Sequence, residues 1–242
     1  MSSVLAGRLV VVLGGSAGIG LATARLARAE GAEVVITGRD PGRLRTAADE
    51  IGARHSAAFD ADDAVALAGF FVGLPTPIDH VLVTAGAPHY GPILAMEPAE
   101  LSAALSGHMV RATQVARNAA DRMSPGGTLL LVGGTGGRRV RRGLGIISAV
   151  TAALPAYTAA LALELAPVRV NLIAAGFVDT PLSARLLGDG LDARRDELRA
   201  TLPIGRVVGP ADVAALAVHL MTNTALTGAT YDIDGGQGLL AG

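Results

Sequence analysis

Leu9-Val-Val-Val-Leu-Gly-Gly-Ser-Ala-Gly-Ile-Gly20 is a short apolar run that ends in spaced glycines, and it decides the fold. An Ala-rich segment with helical spacing, Ile19–Glu30, follows at once. Valine and other β-branched residues favour strands, and glycine adopts backbone conformations that other residues avoid. The stretch therefore predicts a buried strand, a tight turn and a helix in direct succession.

The same alternation of apolar runs and helical patterns continues along the rest of the chain. The predicted strands are Leu9–Leu13, Glu33–Thr37, His55–Phe59, His80–Ala85, Thr128–Val132, Val168–Ala174 and Thr230–Ile233. The predicted helices are Ile19–Glu30, Gly42–Ile51, Asp62–Gly73, Glu97–Met123, Ile147–Ala166 and Ala211–Thr222. This order predicts an α/β, single-domain Rossmann fold, with a doubly wound parallel sheet of about seven strands and helices on both faces. We expect one domain over residues 1–242, because no linker or low-complexity tract interrupts the pattern.

The composition excludes several functional classes. The chain has 242 residues, a net charge of −1 and no cysteine, and all 20 of its basic residues are arginine. Without cysteine there is no disulfide and no thiolate metal site, so we expect a cytoplasmic protein without a metal. The small net charge gives no reason to expect nucleic acid as a partner. The charge-free stretch from Gly143 to Leu163 contains Pro155 and several hydroxyl groups, so we expect a helix buried against the sheet or between subunits, not a membrane span.

The glycine turn predicts a dinucleotide site. Gly14, Gly18 and Gly20 lie where the first strand passes into the first helix, and glycine lets a backbone approach a pyrophosphate closely. The first free N–H groups of the helix would point at the anion. A tight turn without a ligand is the alternative, and the α/β context favours the dinucleotide.

The spacing Gly14-x-x-x-Gly18-x-Gly20 resembles that of the short-chain dehydrogenase/reductase family, which usually has threonine where Leu13 stands here. Further matching motifs along nearly the whole chain are Thr84-Ala85-Gly86, LALELAP at residues 161–167, Arg169-Val170-Asn171, Ala175–Thr180, Gly209–Ala214 and Asp234-Gly235-Gly236. The resemblance implies a nicotinamide dinucleotide cofactor. It also implies that Asp60 contacts the adenine of the cofactor. The other residues implied to hold the cofactor are Gly14, Ser16, Gly18, Ile19, Gly20, Ala85, Gly86 and Thr180.

The end of the second strand indicates which nicotinamide cofactor is bound. NAD-binding folds place an acidic residue there to accept hydrogen bonds from the ribose, whereas this chain has Gly38 followed by Arg39. An arginine can pair with the 2′-phosphate of NADP through charge-assisted hydrogen bonds. The sequence therefore predicts NADP over NAD. Asp40 leaves NAD as the less favoured alternative, since it could pair with Arg39 or bind the ribose.

The family's catalytic positions carry side chains without proton chemistry. Counting back from the LALELAP motif places the family's Ser, Tyr and Lys at Gly134, Ile147 and Thr151. Tyr157 does not fit this register, and Leu161 stands where its partner lysine would be. Removing one general acid typically lowers a rate about 10²–10⁴-fold. The usual route of carbonyl reduction is therefore closed, as in an atypical subgroup of the family.

Other residues are weak candidates for the missing chemistry. His108, which aligns with the family's helical Asn, could transfer a proton, and Thr135 and Ser148 could bind a carbonyl oxygen. A purely structural role is the alternative for each. A nearby basic loop could bind an anionic substrate or be a solvated surface, and its arginines are Arg138, Arg139, Arg141 and Arg142.

Two functions stay open at the level of sequence. The first is an NADP(H)-dependent oxidoreductase that acts on a small carbonyl or alcohol substrate with a non-standard proton donor. The second is a catalytically impaired nucleotide-binding protein that acts as a sensor or through a partner. The resemblance and the charge-free helix also favour a homodimer or homotetramer.

Overall fold

The computed structural model describes residues 3–138 and 140–240. Its centre is one seven-stranded sheet in the order β3-β2-β1-β4-β5-β6-β7, in which every neighbouring pair is parallel. The predicted doubly wound sheet is therefore confirmed. Its strands are β1 Leu9–Leu13, β2 Glu33–Gly38, β3 His55–Ala58, β4 Ile78–Val83, β5 Met123–Gly134, β6 Arg169–Ala175 and β7 Thr230–Ile233.

Helices cover both faces of the sheet. The helices are α1 Gly18–Ala29, α2 Pro41–Ile51, α3 Ala64–Val72, α4 Pro98–Ala119, α5 Gly145–Glu164, α6 Pro181–Leu187, α7 Leu191–Thr201 and α8 Pro210–Thr222. One apolar core packs α1, α2 and α8 on one face, and a second core packs α3, α4 and α5 on the other. β1, β4 and β6 are buried along their whole length, as expected of parallel strands covered on both sides.

The strand order fixes where a ligand can bind. From β1 the chain continues outward through β2 and β3, and then returns to β4 on the other side of β1. In open parallel sheets, ligands bind outside the carboxyl ends of the strands at such a reversal. The ends of β1 and β4 are Leu13 and Val83, and each leads directly into one of the motifs predicted to hold the cofactor.

Two helices, α6 and α7, were not predicted. Of the residues of α7 only Leu198 is buried, and α6 has no fully buried residue, so neither helix carries the apolar periodicity that predicts a helix. The segment that holds them is closed at its base, where Val178 bridges Val208 and the N–H of Asp179 donates to the Val208 carbonyl at 3.0 Å. Arg195 of α7 also donates twice to Asp179, at 2.8 and 2.9 Å.

Among the described residues, α5 is the one helix long and apolar enough to cross a membrane by length and composition. Eight of its residues are nevertheless buried within the chain: Ile146, Ser148, Val150, Thr151, Leu154, Thr158, Leu161 and Ala162. Val150 and Leu154 belong to the apolar core between this helix and the sheet. The helix thus packs against the sheet, which is one of the two placements that the sequence predicts.

His80 of β4 is a buried histidine at the opposite end of the sheet from the ligand-binding edge. It is 6% exposed, and its Nδ1 has no hydrogen-bond partner among the described residues. Burial lowers the pKa of His80 from 6.5 to about 4; the positive charges of Arg169 and Arg8 act in the same direction, and Asp79 opposes them. The folded protein therefore keeps this ring neutral.

The stability of the fold is expected to fall in mild acid because of His80. Between pH 6.5 and about 4, His80 is protonated in the unfolded chain but not in the folded chain. The free energy of unfolding therefore decreases as the pH falls through this range. The contribution of His80 is at most about 3 kcal/mol. Urea unfolding at pH 7.5 and pH 4.5 measures it. His80→Leu should reduce the difference between the two pH values, and an unchanged difference would contradict the assignment. His55→Gln, at an exposed histidine, is the control.

Candidate active site

The glycine turn between β1 and α1 is closely packed. Gly14 has a φ of +94°, and a Cβ atom there would come within 2.6 Å of the Thr84 hydroxyl. A Cβ atom on Gly20 would lie 2.2 Å from the Gly14 carbonyl oxygen. Since no real Cβ atom makes such a contact, both positions require glycine for the turn to lie this close to α1 and β4. This is the backbone shape that a dinucleotide cradle needs.

Thr84, which directly follows β4, contributes to this turn in a way that the sequence did not predict. Its hydroxyl lies 3.0 Å from the Leu13 carbonyl and 3.1 Å from the Gly14 carbonyl, within hydrogen-bond distance of both. Leu13 stands in place of the family's usual threonine, and it lacks the hydroxyl that a threonine would contribute to a local hydrogen bond. The hydroxyl from the neighbouring strand instead holds the turn. The available signal was Thr84 itself, which stands where the family's motif has asparagine.

The N-terminus of α1 is open to an anion. The residue before it, Ala17, makes no side-chain cap, and the first turn contains no acidic residue. The first N–H groups of a helix have no partner within the helix, and the helix dipole makes this end attractive to negative charge. Thr180 approaches the same place from the loop after β6, since a Cβ atom on Gly18 would lie 3.4 Å from its methyl group. The structure therefore brings together these predicted cofactor residues around one helix end.

The carboxyl end of β2 separates the roles of Arg39 and Asp40. Asp40 caps α2 by accepting a hydrogen bond from the Arg43 N–H at 2.9 Å, and its carboxylate also pairs with the Arg43 guanidinium at 3.4 Å. The backbone hydrogen bond from Arg43 lowers the pKa of Asp40. Arg39 is exposed and forms no hydrogen bond or ion pair with any described residue. Its guanidinium is thus free for a ligand, and Asp40 is occupied by its own helix.

Gly134 and Thr151 meet at the end of β5, where the sequence register places the missing Ser and Lys. A Cβ atom on Gly134 would lie 3.5 Å from the Thr151 methyl group, which is ordinary contact. The Thr151 hydroxyl donates to the Ile147 carbonyl at 2.7 Å and lies 3.2 Å from the Ser148 carbonyl. It is therefore used within its own helix. Gly134, Ile147 and Thr151 supply no ionisable group.

A cavity of about 170 Å³ lies beside these positions. It opens between α5, the end of β5 and the outer strands, and its lining includes Gly134, Thr135, Thr151, Ala152, Pro155 and Thr230. Arg138 stands at its edge and donates to Asp232 of β7 at 2.7 Å. This arginine is paired within the protein and is not free for a substrate. Arg141 and Arg142 are exposed, and Arg139 lies outside the described residues.

The tyrosine of α5 is turned away from the catalytic positions. The Tyr157 hydroxyl is hydrogen-bonded to Thr113 and donates to the Met109 carbonyl at 3.3 Å, both on α4. It joins α5 to α4. Ser148 is 4% exposed, and its hydroxyl has no partner in the described part of the chain. The N–H of Thr135 donates to the Ala175 carbonyl at 3.1 Å, which holds this residue at the carboxyl ends of β5 and β6.

His108 is partly buried on α4. Burial lowers its pKa below 6.5, the charges of Arg111 and His89 act in the same direction, and Asp62 opposes them. The ring is therefore neutral at pH 7, so it can accept a proton. It is protonated only at lower pH.

The comparison with known proteins identifies the family. The model described as enoyl-(acyl carrier protein) reductase matches residues 14–237. A short-chain dehydrogenase/reductase of Stachybotrys chlorohalonatus is 28% identical over 95% of this chain and 96% of its own. This chain belongs to the short-chain dehydrogenase/reductase family. The resemblance seen in the sequence is thereby confirmed.

Other members of the family align along almost their full lengths. An uncharacterized oxidoreductase of Mycobacterium tuberculosis is 32% identical, with 95% of this chain and 91% of that protein covered. The structure of a small-chain dehydrogenase in complex with NADPH superposes with a TM-score of 0.82 at 28% identity, and covers 97% of this chain and 100% of that one. The structure of a short chain dehydrogenase/reductase family protein gives 0.86 at 30% identity, over 99% and 100%.

Proposed function

We propose that this chain binds NADP(H) and acts as an oxidoreductase on small carbonyl or alcohol substrates, with a proton donor other than the tyrosine usual in its family. The observation that carries the proposal is the cradle formed by Gly14, Gly20 and Thr84, whose glycines leave no room for a side chain. Two solved relatives support it, because the small-chain dehydrogenase and BdcA, 28% and 27% identical, are both described in complex with NADPH.

The residues present fit the cofactor. The amides at the start of α1, from Gly18 to Gly20, would receive the pyrophosphate, and Ser16, Ile19, Ala85, Gly86 and Thr180 would line its course. Arg39 would bind the 2′-phosphate and Asp60 the adenine. When bound, the nicotinamide supplies or accepts a hydride. The residues of the chain bind and orient the two reactants and exclude water around them.

The proton must come from a group other than positions 134, 147 and 151. His108 is the proposed donor, and Thr135 and Ser148 are the proposed hydroxyls for the carbonyl oxygen. Because the pKa of His108 is lowered, its protonated form becomes populated only below pH 6.5. Reduction through His108 should therefore quicken as the pH falls below this value, and alcohol oxidation, which needs the neutral ring, should not. Exposed Arg141 and Arg142 favour substrates that carry a carboxylate or phosphate.

A catalytically impaired nucleotide-binding protein is the second candidate. It is favoured by the Thr151 hydroxyl, which is used up on the Ile147 carbonyl, and by the absence of any side chain on Gly134. Such a protein would bind NADPH without turnover and act as a sensor or through a partner. For both candidates we propose a cytoplasmic protein that forms a homodimer or homotetramer. The proposed interface is the exposed side of α5, which carries Ala149, Ala153, Ala156 and Leu163.

Cofactor binding and turnover distinguish these functions. NADPH fluorescence should show binding, and NADPH oxidation with anionic aldehydes and ketones from pH 5 to 8 should rise towards acid. His108→Ala should remove most of this rate, about a hundredfold if His108 is the general acid, with cofactor affinity retained. Binding without turnover would leave the impaired protein as the function. No NADPH binding would exclude both. His55→Gln, at an exposed histidine, is the control.

A further inference from the structure

Arg111 of α4 is a buried arginine with an unusual set of partners. Its side chain is 7% exposed. Its Nε donates to Asp62 at 2.8 Å, Nη2 donates to the other Asp62 oxygen at 2.8 Å, and Nη1 donates to the Ala85 carbonyl at 3.1 Å. Burying a guanidinium is unfavourable unless its charge is paired, and a bidentate carboxylate fixes its orientation. The arginine therefore holds two loops in one arrangement.

The loop after β4 is shaped around this guanidinium. Gly86 has a φ of +117°, and a Cβ atom there would lie 2.6 Å from Arg111 Nη1. The guanidinium thus occupies the space beneath Gly86. A Cβ atom on Gly14 would in turn lie 2.9 Å from the Ala85 N–H nitrogen. Arg111 consequently supports the loop after β4 where this loop packs against Gly14 of the cradle.

The loop after β3 is shaped by the carboxylate that Arg111 holds. The Asp62 N–H donates to Asp60 Oδ1 at 3.1 Å, and the Asp63 N–H donates to the Asp60 carbonyl at 2.9 Å. Asp60 is exposed, and no described residue donates to its Oδ2. The ion pair therefore fixes the turn that leaves one oxygen of Asp60 free at the ligand-binding edge.

We propose that Arg111 and Asp62 are a positioning pair that selects a purine with an exocyclic 6-amino group. Through the Asp62 backbone they orient the Asp60 carboxylate to accept a hydrogen bond from that amino group. The inference rests on the proposed binding of NADP(H). A base with an oxygen in place of the 6-amino group would place a hydrogen-bond acceptor against the Asp60 carboxylate, which is itself an acceptor. This contact costs affinity, since an unmet polar group next to a charge is unfavourable.

The test compares NADPH with its 6-oxo analogue, reduced nicotinamide hypoxanthine dinucleotide phosphate. The wild-type protein should bind NADPH about tenfold more tightly, the effect of one hydrogen bond to a charged group. Asp62→Ala and Arg111→Met should reduce this preference to about twofold. A loss of general structure would instead weaken both cofactors equally and leave the preference unchanged. Cofactor fluorescence measures both affinities, and the protein has no tryptophan to interfere.

Each outcome decides the inference. Arg8→Met is the matched control, because it removes an arginine that is paired at 2.9 Å with Asp79, near the amino-terminal ends of β1 and β4. This variant should keep the preference for NADPH. If Arg111→Met does not fold, Asp62→Ala decides, since that carboxylate is 59% exposed. Variants that keep the wild-type preference, or a wild-type protein that binds both cofactors equally, overturn the pair's role and leave NADP(H) binding intact. A wild-type protein that binds neither overturns the proposed function and the inference together.

Discussion

The triple variant Gly134→Ser, Ile147→Tyr, Thr151→Lys is expected to reduce carbonyl substrates with NADPH at least about a hundredfold faster than the wild-type protein. A serine fits at position 134, because a Cβ atom there makes only ordinary contacts, at 3.5 and 3.6 Å. Positions 147 and 151 are one helical turn apart, so the new tyrosine and lysine lie on one face of α5. kcat/KM for NADPH oxidation measures the gain.

The matched control replaces the tyrosine with phenylalanine. A variant with Gly134→Ser, Ile147→Phe and Thr151→Lys has nearly the same shape and lacks the phenolic proton. It should lose most of the gain, since a general acid contributes about 10²–10⁴ in rate. A folded triple variant that binds NADPH and reduces no faster than the wild-type protein would show that the register of the catalytic positions is wrong.

Arg39→Ala is expected to weaken NADPH binding by about 10- to 100-fold and to leave NADH binding within about twofold. Arg39 is exposed and unpaired in the described structure, and it directly follows Gly38, the last residue of β2. We expect its guanidinium to pair with the 2′-phosphate, which NADPH carries and NADH lacks. Titrations with both cofactors give the ratio of the two dissociation constants.

A second exposed arginine provides the control for this titration. Arg45 lies on α2, with no ion pair in the described part of the chain. Arg45→Ala removes the same charge from the same region, and it should change the ratio little. Equal losses in the two variants would mean that Arg39 acts only through the general field of the surface. A lost preference in Arg39→Ala alone would support a specific contact.

The centre of the sheet could be predicted from the sequence because β1, β4 and β6 are buried along their whole length and so appear as apolar runs. β1 and β7 match their predicted bounds, and β2 extends one residue further, to Gly38. The polar surface helix α7 carried no such signal. The role of Asp40 as the N-cap of α2 could have been predicted, since an Asp directly before a proline is the usual pattern at the start of a helix.

The contacts that shape the cradle depend on pairs far apart in sequence. Arg111 lies 49 residues from its partner Asp62, and Thr84 lies 70 residues from Gly14. Neither pair follows a local pattern. Arg111 stands among apolar helix residues, where a charge ordinarily indicates a solvent-facing position. Only the folded chain shows that this arginine is buried.

The bridge between Val178 and Val208 makes the intervening segment a self-contained cassette. Its entry and exit are already adjacent, so the entropy of closing it changes only slowly with its length. The part of this segment beyond Thr180 could therefore change in length and polarity with little effect on the glycine turn between β1 and α1. The outer part of the segment, which includes α7, can thus diverge while the sheet and the turn after β1 stay the same.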